Sequence, residues 1–192
     1  MTKVSVQVPA ISVEEAVDGD YVIVDVRSPS EFAESHAVGA INLPLLGDRE
    51  RAEVGKAYAT LGASAARLAA LDAVSQDLPS YLRGLKAVAE RGSRLAVMCW
   101  RGGERSRNVV MLLSLVGVHA VQVTGGYKAY RRWVLDGLAG WTPDRPTVTL
   151  FGFTGAGKTA LLRELRTVAS DYPVPYVIDL EGMALHRGSL LG

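Results

Sequence analysis

Cys99 opens the segment Cys99-Trp-Arg-Gly-Gly-Glu-Arg-Ser106, where a thiol, two glycines and two arginines fall within eight residues. A cysteine between a buried strand and a helix meets converging backbone N–H groups and the positive end of the helix, and both favour the thiolate. Gly102 and Gly103 let the backbone curl with its amides inward, while Arg101 and Arg105 supply charge-assisted contacts to phosphate, thiosulfate or a related anion. Trp100, Glu104 and Ser106 complete this candidate anion-binding loop, with Cys99 as its nucleophile. A lone cysteine is more often a small buried hydrophobe, but the glycine pair and the arginines weigh against that here. Two kinds of enzyme use such a loop. Cys-x5-Arg phosphatases attack phosphate with the thiolate, and the spacing of Cys99 to Arg105 fits them; other enzymes carry sulfur or selenium on the cysteine.

The second chemical feature is Gly152-Phe-Thr-Gly-Ala-Gly-Lys-Thr159, which meets the P-loop pattern Gly-x4-Gly-Lys-Thr. Gly152, Gly155 and Gly157 let backbone amides wrap a phosphate, Lys158 reaches the outer phosphates, and Thr159 can ligate Mg²⁺. The motif needs a strand before it and a helix after it, and the sequence predicts both: a strand over Thr147–Phe151 and a helix over Ala160–Ala169.

The elements that must position these groups follow from apolar periodicity. Tyr21–Arg27 is a β-branched run closed by Ser28-Pro29 and reads as a buried parallel strand. A short helix over Ser30–His36 starts at a Ser cap after the proline, and Gly39–Pro44 holds a short strand. Residues 49–90 show helical spacing broken at Gly62 and near Pro79, giving two or three helices. Then come a strand over Leu95–Cys99, a helix over Ser106–Val116, a strand over His119–Thr124, the turn Gly125-Gly126 and a helix over Tyr127–Leu138. Alternation of strand and helix predicts an α/β fold with a parallel sheet. Residues 141–146 have the composition of a linker.

Composition sets outer limits. Lys and Arg total 21 against 20 Asp and Glu, so no bulk field grips nucleic acid and any RNA contact must be local. One cysteine excludes an intrachain disulfide and points to a reducing cytoplasm. No signal peptide or run of about 18 apolar residues is present, so no membrane is expected.

Asp25-Val-Arg-Ser-Pro-Ser-Glu-Phe32, His36-Ala-Val-Gly-Ala-Ile-Asn-Leu-Pro44, the cysteine loop and Gly125-Gly-Tyr-Lys-Ala-Tyr130 resemble, in that order, the successive signatures of a rhodanese domain. With the P-loop, the helical stretch around Arg51–Tyr58 and the late segment Asp179-Leu-Glu-Gly-Met-Ala-Leu-His-Arg-Gly-Ser189, nearly the whole chain resembles the tRNA 2-selenouridine synthase family. The resemblance implies a rhodanese-like parallel sheet with flanking helices over residues 1–140, with its core at 11–138 and a helical insert at 49–90. The start of a P-loop α/β domain would follow over 147–192. It further implies replacement of sulfur by selenium in wobble 2-thiouridine of tRNA, through an S-geranyl intermediate. Selenophosphate and geranyl diphosphate would be the co-substrates, Cys99 the selenium carrier, and no cofactor tightly bound. Family members continue past this point, so the P-loop domain is expected to be incomplete and poorly stable alone, with self-association or a partner subunit as one source of the missing strands. Two other functions remain open: a simple rhodanese carrying sulfur or selenium, and a non-catalytic module binding tRNA or a partner.

Around these motifs, Asp25 and Arg27 are expected to form a buried ion pair supporting the cysteine loop. His36 reads as a hydrogen-bonded structural residue rather than a proton carrier. Trp100 is a candidate for base stacking or for lining an isoprenoid pocket. Arg107, Lys128, Arg131 and Arg132 are candidate contacts to the RNA backbone, and His186 and Arg187 to substrate phosphate. No residue set with metal-ligand spacing appears.

Overall fold

The computed structural model describes residues 7–91, 94–142, 148–153, 155–168 and 177–178. Five strands form one parallel sheet: β1 (Ala10–Ile11), β2 (Tyr21–Asp25), β3 (Ile41–Asn42), β4 (Arg94–Met98) and β5 (Ala120–Val123), in spatial order β1-β5-β4-β2-β3. The central pairing aligns Val24 with Val97 and Asp25 with Met98, and β4 aligns Val97 with Gln122 of β5. Connections leaving β2 run toward one edge of the sheet and those leaving β4 toward the other. A crevice therefore opens between the carboxyl ends of β2 and β4, the place where open α/β sheets bind ligands.

Side-chain alternation along the strands splits the core in two. On one face Val24, Val26, Leu95, Val97 and Cys99 pack against Leu85 of α5 (Leu78–Ala89) and Val109, Val110 and Leu113 of α6 (Glu104–Leu115). On the other, Ile23, Ala96, Met98, Val121 and Val123 pack against Val13 and Ala16 of α1 (Val13–Asp18) and Tyr127 and Tyr130 of α7 (Gly126–Gly140). The expected α/β architecture, a parallel sheet clothed by helices on both faces, is thus what the chain adopts.

The boundaries differ from the sequence reading in instructive ways. β1 and α1 carry no strong apolar run and escape it; α1 is held by a capping box in which the Ser12 hydroxyl accepts from the Glu15 amide at 3.0 Å and the Glu15 carboxylate from the Ser12 amide at 2.7 Å. Helix α2 (Pro29–Glu34) starts from Ser28, not from Ser30: Pro29 occupies the first turn, where its missing N–H costs nothing. The insert resolves into α3 (Asp48–Leu61), α4 (Ala63–Ser75) and α5, with Gly62 at φ +88° dividing the first two and Pro79 at the start of the third.

Tyr81 ties α5 to the sheet edge by donating its hydroxyl to the Leu43 carbonyl at 3.1 Å. Burial pushes its phenol well above the ordinary value, so the folded protein keeps a proton that the unfolded chain loses near pH 10. Above that pH the unfolded state binds fewer protons, and stability falls as pH rises toward the folded value. Tyr81→Phe is expected to remove this alkaline loss while costing about 1 kcal/mol at neutral pH for the hydrogen bond. Urea unfolding at pH 7 and at about pH 11 reads both effects.

By compactness the chain divides into two units, Met1–Trp141 and Thr142–Gly192. In the second, α8 (Lys158–Val168) begins at the P-loop lysine, two residues before the sequence reading placed it. The strand expected over Thr147–Phe151 does not form among the described residues 148–151. A strand needs a neighbour to satisfy its backbone groups, and among the described residues none pairs with 148–151, where Phe151 is 99% exposed. No helix among the described residues is long and apolar enough to cross a membrane.

Candidate active site

Cys99 follows β4 directly and is 3% exposed. Two donors are within reach of its sulfur: the Gly103 amide, donating at 3.3 Å, and the Ser106 hydroxyl, 3.2 Å away. Ser106 stands in the first turn of α6, so the thiol faces a helix N-terminus as well as the loop. The sulfur thus sits within hydrogen-bond range of a backbone amide and a hydroxyl at a helix start.

The loop keeps its shape by close stitching to the start of α7. The Tyr127 amide donates to the Cys99 carbonyl at 2.9 Å and the Lys128 amide to the Trp100 carbonyl at 3.0 Å. Gly102 and Gly126 approach each other at positive φ, +61° and +58°; a Cβ on Gly126 would collide with the Cys99 carbonyl oxygen and the Gly102 amide. The glycine turn at 125–126 thus belongs to the site, because only glycine allows the two loops to touch. Gln122 of β5, which sequence reasoning passed over as part of a strand, donates from Nε2 to the Gly102 and Gly103 carbonyls at 2.8 and 3.0 Å and to Ser106 Oγ at 2.8 Å. A polar side chain inside the apolar run Ala120–Val123 is the signal that marks it.

Below the loop, Asp25 and Arg27 are fully buried and paired: Arg27 Nη2 lies 2.7 Å and Nε 2.9 Å from Asp25 Oδ2. Nη2 also donates to the Ser35 carbonyl at 2.7 Å, and Asn42 Nδ2 donates to the backbone carbonyls of both Asp25 and Arg27 at 3.0 Å. The guanidinium carbon sits 4.0 Å from the centre of the Tyr127 ring and 5.8 Å from Trp100. Arg27 Nη1 has no hydrogen-bond partner among the described residues. From the rim an aromatic series runs along α7: Trp100, Tyr127, Tyr130 and Trp133, with successive ring centres 5.8, 6.0 and 6.2 Å apart. Both end members, the two tryptophans, are about two-fifths exposed.

The two loop arginines differ. Arg101 is exposed and makes no ion pair with a described residue. Arg105, expected to be open to an anion, already holds Glu31 of α2, with Nη1 and Nη2 at 2.7 and 3.3 Å from its carboxylate oxygens. Burial opposes ionisation of Glu31, but Arg105, the Ser28 amide and Arg51 outweigh it and hold the carboxyl below the usual range. Arg105 therefore faces the crevice as a cation with one side taken. Glu104 turns away from the thiol toward Arg67 of α4 and Arg107.

Arg107 stands on α6 while Lys128, Arg131 and Arg132 stand on α7, so helices on opposite faces of the sheet carry them. Lys128, Arg131 and Arg132 are exposed. His36 stacks on Phe32 at 4.1 Å and its Nδ1 lies 2.9 Å from the Phe32 carbonyl, on the surface. His186 and Arg187 lie outside the described residues. In the second unit Gly155 and Gly157 take positive φ, as a phosphate-cradling turn requires, and Lys158 Nζ donates to the Gly152 and Phe153 carbonyls at 2.8 Å. Thr159 follows in the first turn of α8.

Comparison with known proteins agrees with this division. Residues 11–132 match the rhodanese-like domain and residues 145–192 the tRNA 2-selenouridine synthase AAA domain. The chain is 39% identical over 175 residues to the tRNA 2-selenouridine synthase of Salmonella agona (strain SL483), covering 90% of this chain and 45% of that protein. It is 34% identical over 174 residues to that of Nitrosomonas europaea, covering 90% and 44%. The chain thus spans a little under half the length of these curated relatives. Among solved structures, the N-terminal domain of a Clostridium difficile 630 protein named for ATP/GTP binding superposes with a TM-score of 0.61 at 41% identity, covering 66% of this chain and 98% of that one.

Proposed function

This chain belongs to the rhodanese-like domain family, and from that premise we propose that it acts in tRNA modification as the rhodanese part of a tRNA 2-selenouridine synthase. The observation that carries the reading is the thiol of Cys99, held under an amide and a hydroxyl at the mouth of the β2/β4 crevice and in one chain with a P-loop. In this proposal the substrate is tRNA bearing 2-thiouridine at the wobble position, in the cytoplasm. Geranyl diphosphate alkylates the uridine sulfur with loss of diphosphate; the selenium of selenophosphate then adds at C2, geranylthiolate leaves, and water takes the phosphoryl group from selenium as phosphate. Cys99 is the nucleophile toward a donor with a transferable outer sulfur such as thiosulfate, whose sulfur it holds as a persulfide while sulfite leaves; Arg101 and the free side of Arg105 hold the anionic end of the donor, selenophosphate included.

The remaining residues take supporting parts. Asp25 and Arg27 brace the floor of the loop, and Trp100 offers a partly exposed face to the uridine base. Arg131 and Arg132, with Lys128 and Arg107, supply the backbone contacts to RNA. The glycine loop before α8 binds the diphosphate, with Lys158 leaving its carbonyl partners for the phosphate. Mg²⁺, if used, would be held by Thr159 and would offset the charge of the departing diphosphate.

Incubation with thiolated tRNA, geranyl diphosphate and selenophosphate, followed by mass analysis of nucleosides, tests the proposal. Geranylated or selenated uridine is the expected product. Transfer of sulfur from thiosulfate to cyanide with no change in the RNA would replace it with a simple rhodanese, and a tRNA shift without turnover would reduce the chain to a binding module.

A further inference from the structure

We propose that Gln122 is a positioning residue for Cys99, acting through the hydroxyl of Ser106. The argument is a count of protons and lone pairs. Gln122 Nε2 has three neighbours within hydrogen-bond range, two carbonyl oxygens and Ser106 Oγ. Carbonyls only accept, so the amide nitrogen, not the oxygen, faces them; its two hydrogens follow the two shortest contacts, to the Gly102 carbonyl and to Ser106 Oγ at 2.8 Å each, with the Gly103 carbonyl at 3.0 Å sharing one of them.

That bond fixes where the Ser106 proton goes. A hydroxyl has one hydrogen, and two acceptors lie near Oγ: Cys99 Sγ at 3.2 Å and the Gly103 carbonyl at 3.4 Å. The Gly103 carbonyl already shares a Gln122 hydrogen at 3.0 Å and accepts from the Arg107 amide at 3.2 Å, and 3.4 Å is long for a hydroxyl donating to oxygen whereas 3.2 Å is close for one donating to sulfur. The Ser106 hydrogen is therefore left for the sulfur. Gln122 fills a lone pair of Ser106 from behind and polarises the hydroxyl toward the thiolate in front, so the two residues act as one relay. Their placement depends on strand register, since Gln122 pairs with Val97 and Cys99 lies two residues further along β4.

The relay concerns only the readiness of Cys99 to react. It stands whether the chalcogen comes from selenophosphate or thiosulfate and whether the acceptor is RNA, so its failure is distinct from failure of the proposed function.

Alkylation by iodoacetamide needs neither substrate and reports on Cys99 alone, because the chain has one cysteine. Rates are measured from about pH 6 to pH 10 for the full chain and for Gln122→Met, Ser106→Ala and the double variant. Gln122→Met is expected to slow alkylation about tenfold at neutral pH, the scale of one hydrogen bond to a charged group, with rates converging with wild type in alkali. Ser106→Ala should show the same neutral-pH loss, and the double variant no more than Ser106→Ala alone. Should Gln122→Met not fold, Gln122→Glu keeps the shape, loses the donors and is read in the same way. Wild-type rates in a folded Gln122 variant, a loss equal at every pH, or additive losses in the double variant would each overturn the relay.

Discussion

Cys99→Ser lowers chalcogen transfer by at least about a thousandfold while the protein still folds. The chain has one cysteine, so no other thiol can take over. With thiosulfate the expected step balances without further reagents. The Cys99 thiolate attacks the outer sulfur, a sulfur–sulfur bond forms, and sulfite leaves with the electron pair. Cyanide then removes the carried sulfur as thiocyanate and returns the thiolate. A serine hydroxyl fails at the first step, being a poor nucleophile at neutral pH with no adjacent base to activate it: its nearest neighbours are the donors Gly103 N–H and Ser106 O–H, which stabilise an anion but take no proton. Folding is spared because an oxygen fits where the sulfur was and accepts the same two hydrogen bonds. Thiocyanate formation and nucleoside mass analysis measure the loss; turnover within tenfold of wild type would remove Cys99 from the chemistry.

Asp25→Ala has the largest expected effect on stability. Arg27 is fully buried, and among the described residues Asp25 supplies its only carboxylate. Without it a guanidinium stays in the core with one remaining oxygen partner, the Ser35 carbonyl, and with Nη1 already unpartnered. Breaking a buried pair from one side costs about 3–5 kcal/mol, against a total stability of about 5–15 kcal/mol for a domain. The expected result is a urea midpoint lowered by about a fifth of its value or more, in proportion to that loss. Replacing both residues, Asp25→Leu with Arg27→Met, should recover most of it, since the cost lies in the orphaned charge rather than in the missing attraction. A midpoint within a tenth of wild type for Asp25→Ala would show that water reaches Arg27.

Much of this site is visible in the residues themselves. The cysteine loop, the glycine turn after β5 and the strand ending in Asp25 are each local patterns of apolar run, glycine and charge, and the fold places all three at one sheet edge. What local patterns do not reveal is pairing at a distance. Glu31 lies 74 positions before Arg105, and nothing in either segment announces that the carboxylate takes half of the guanidinium. Gln122 is hidden for the opposite reason: as one polar residue in a four-residue strand it reads as a minor flaw in periodicity, and only the register against β4 brings its amide beneath the loop. The strand expected before the P-loop is absent from the described residues 148–151 on a third ground: β-propensity does not make a strand where no described strand lies beside it.

The β2/β4 register has a consequence for when the site is assembled. Asp25 aligns with Met98, next to Cys99, across the whole of the insert. The insert helices need only local contacts, whereas this alignment must bring together the ends of a long loop. Until it forms, Cys99 has neither the Gly103 amide nor the Ser106 hydroxyl beside its sulfur. A nascent or damaged molecule therefore carries the cysteine without its site, which is assembled only with the finished sheet.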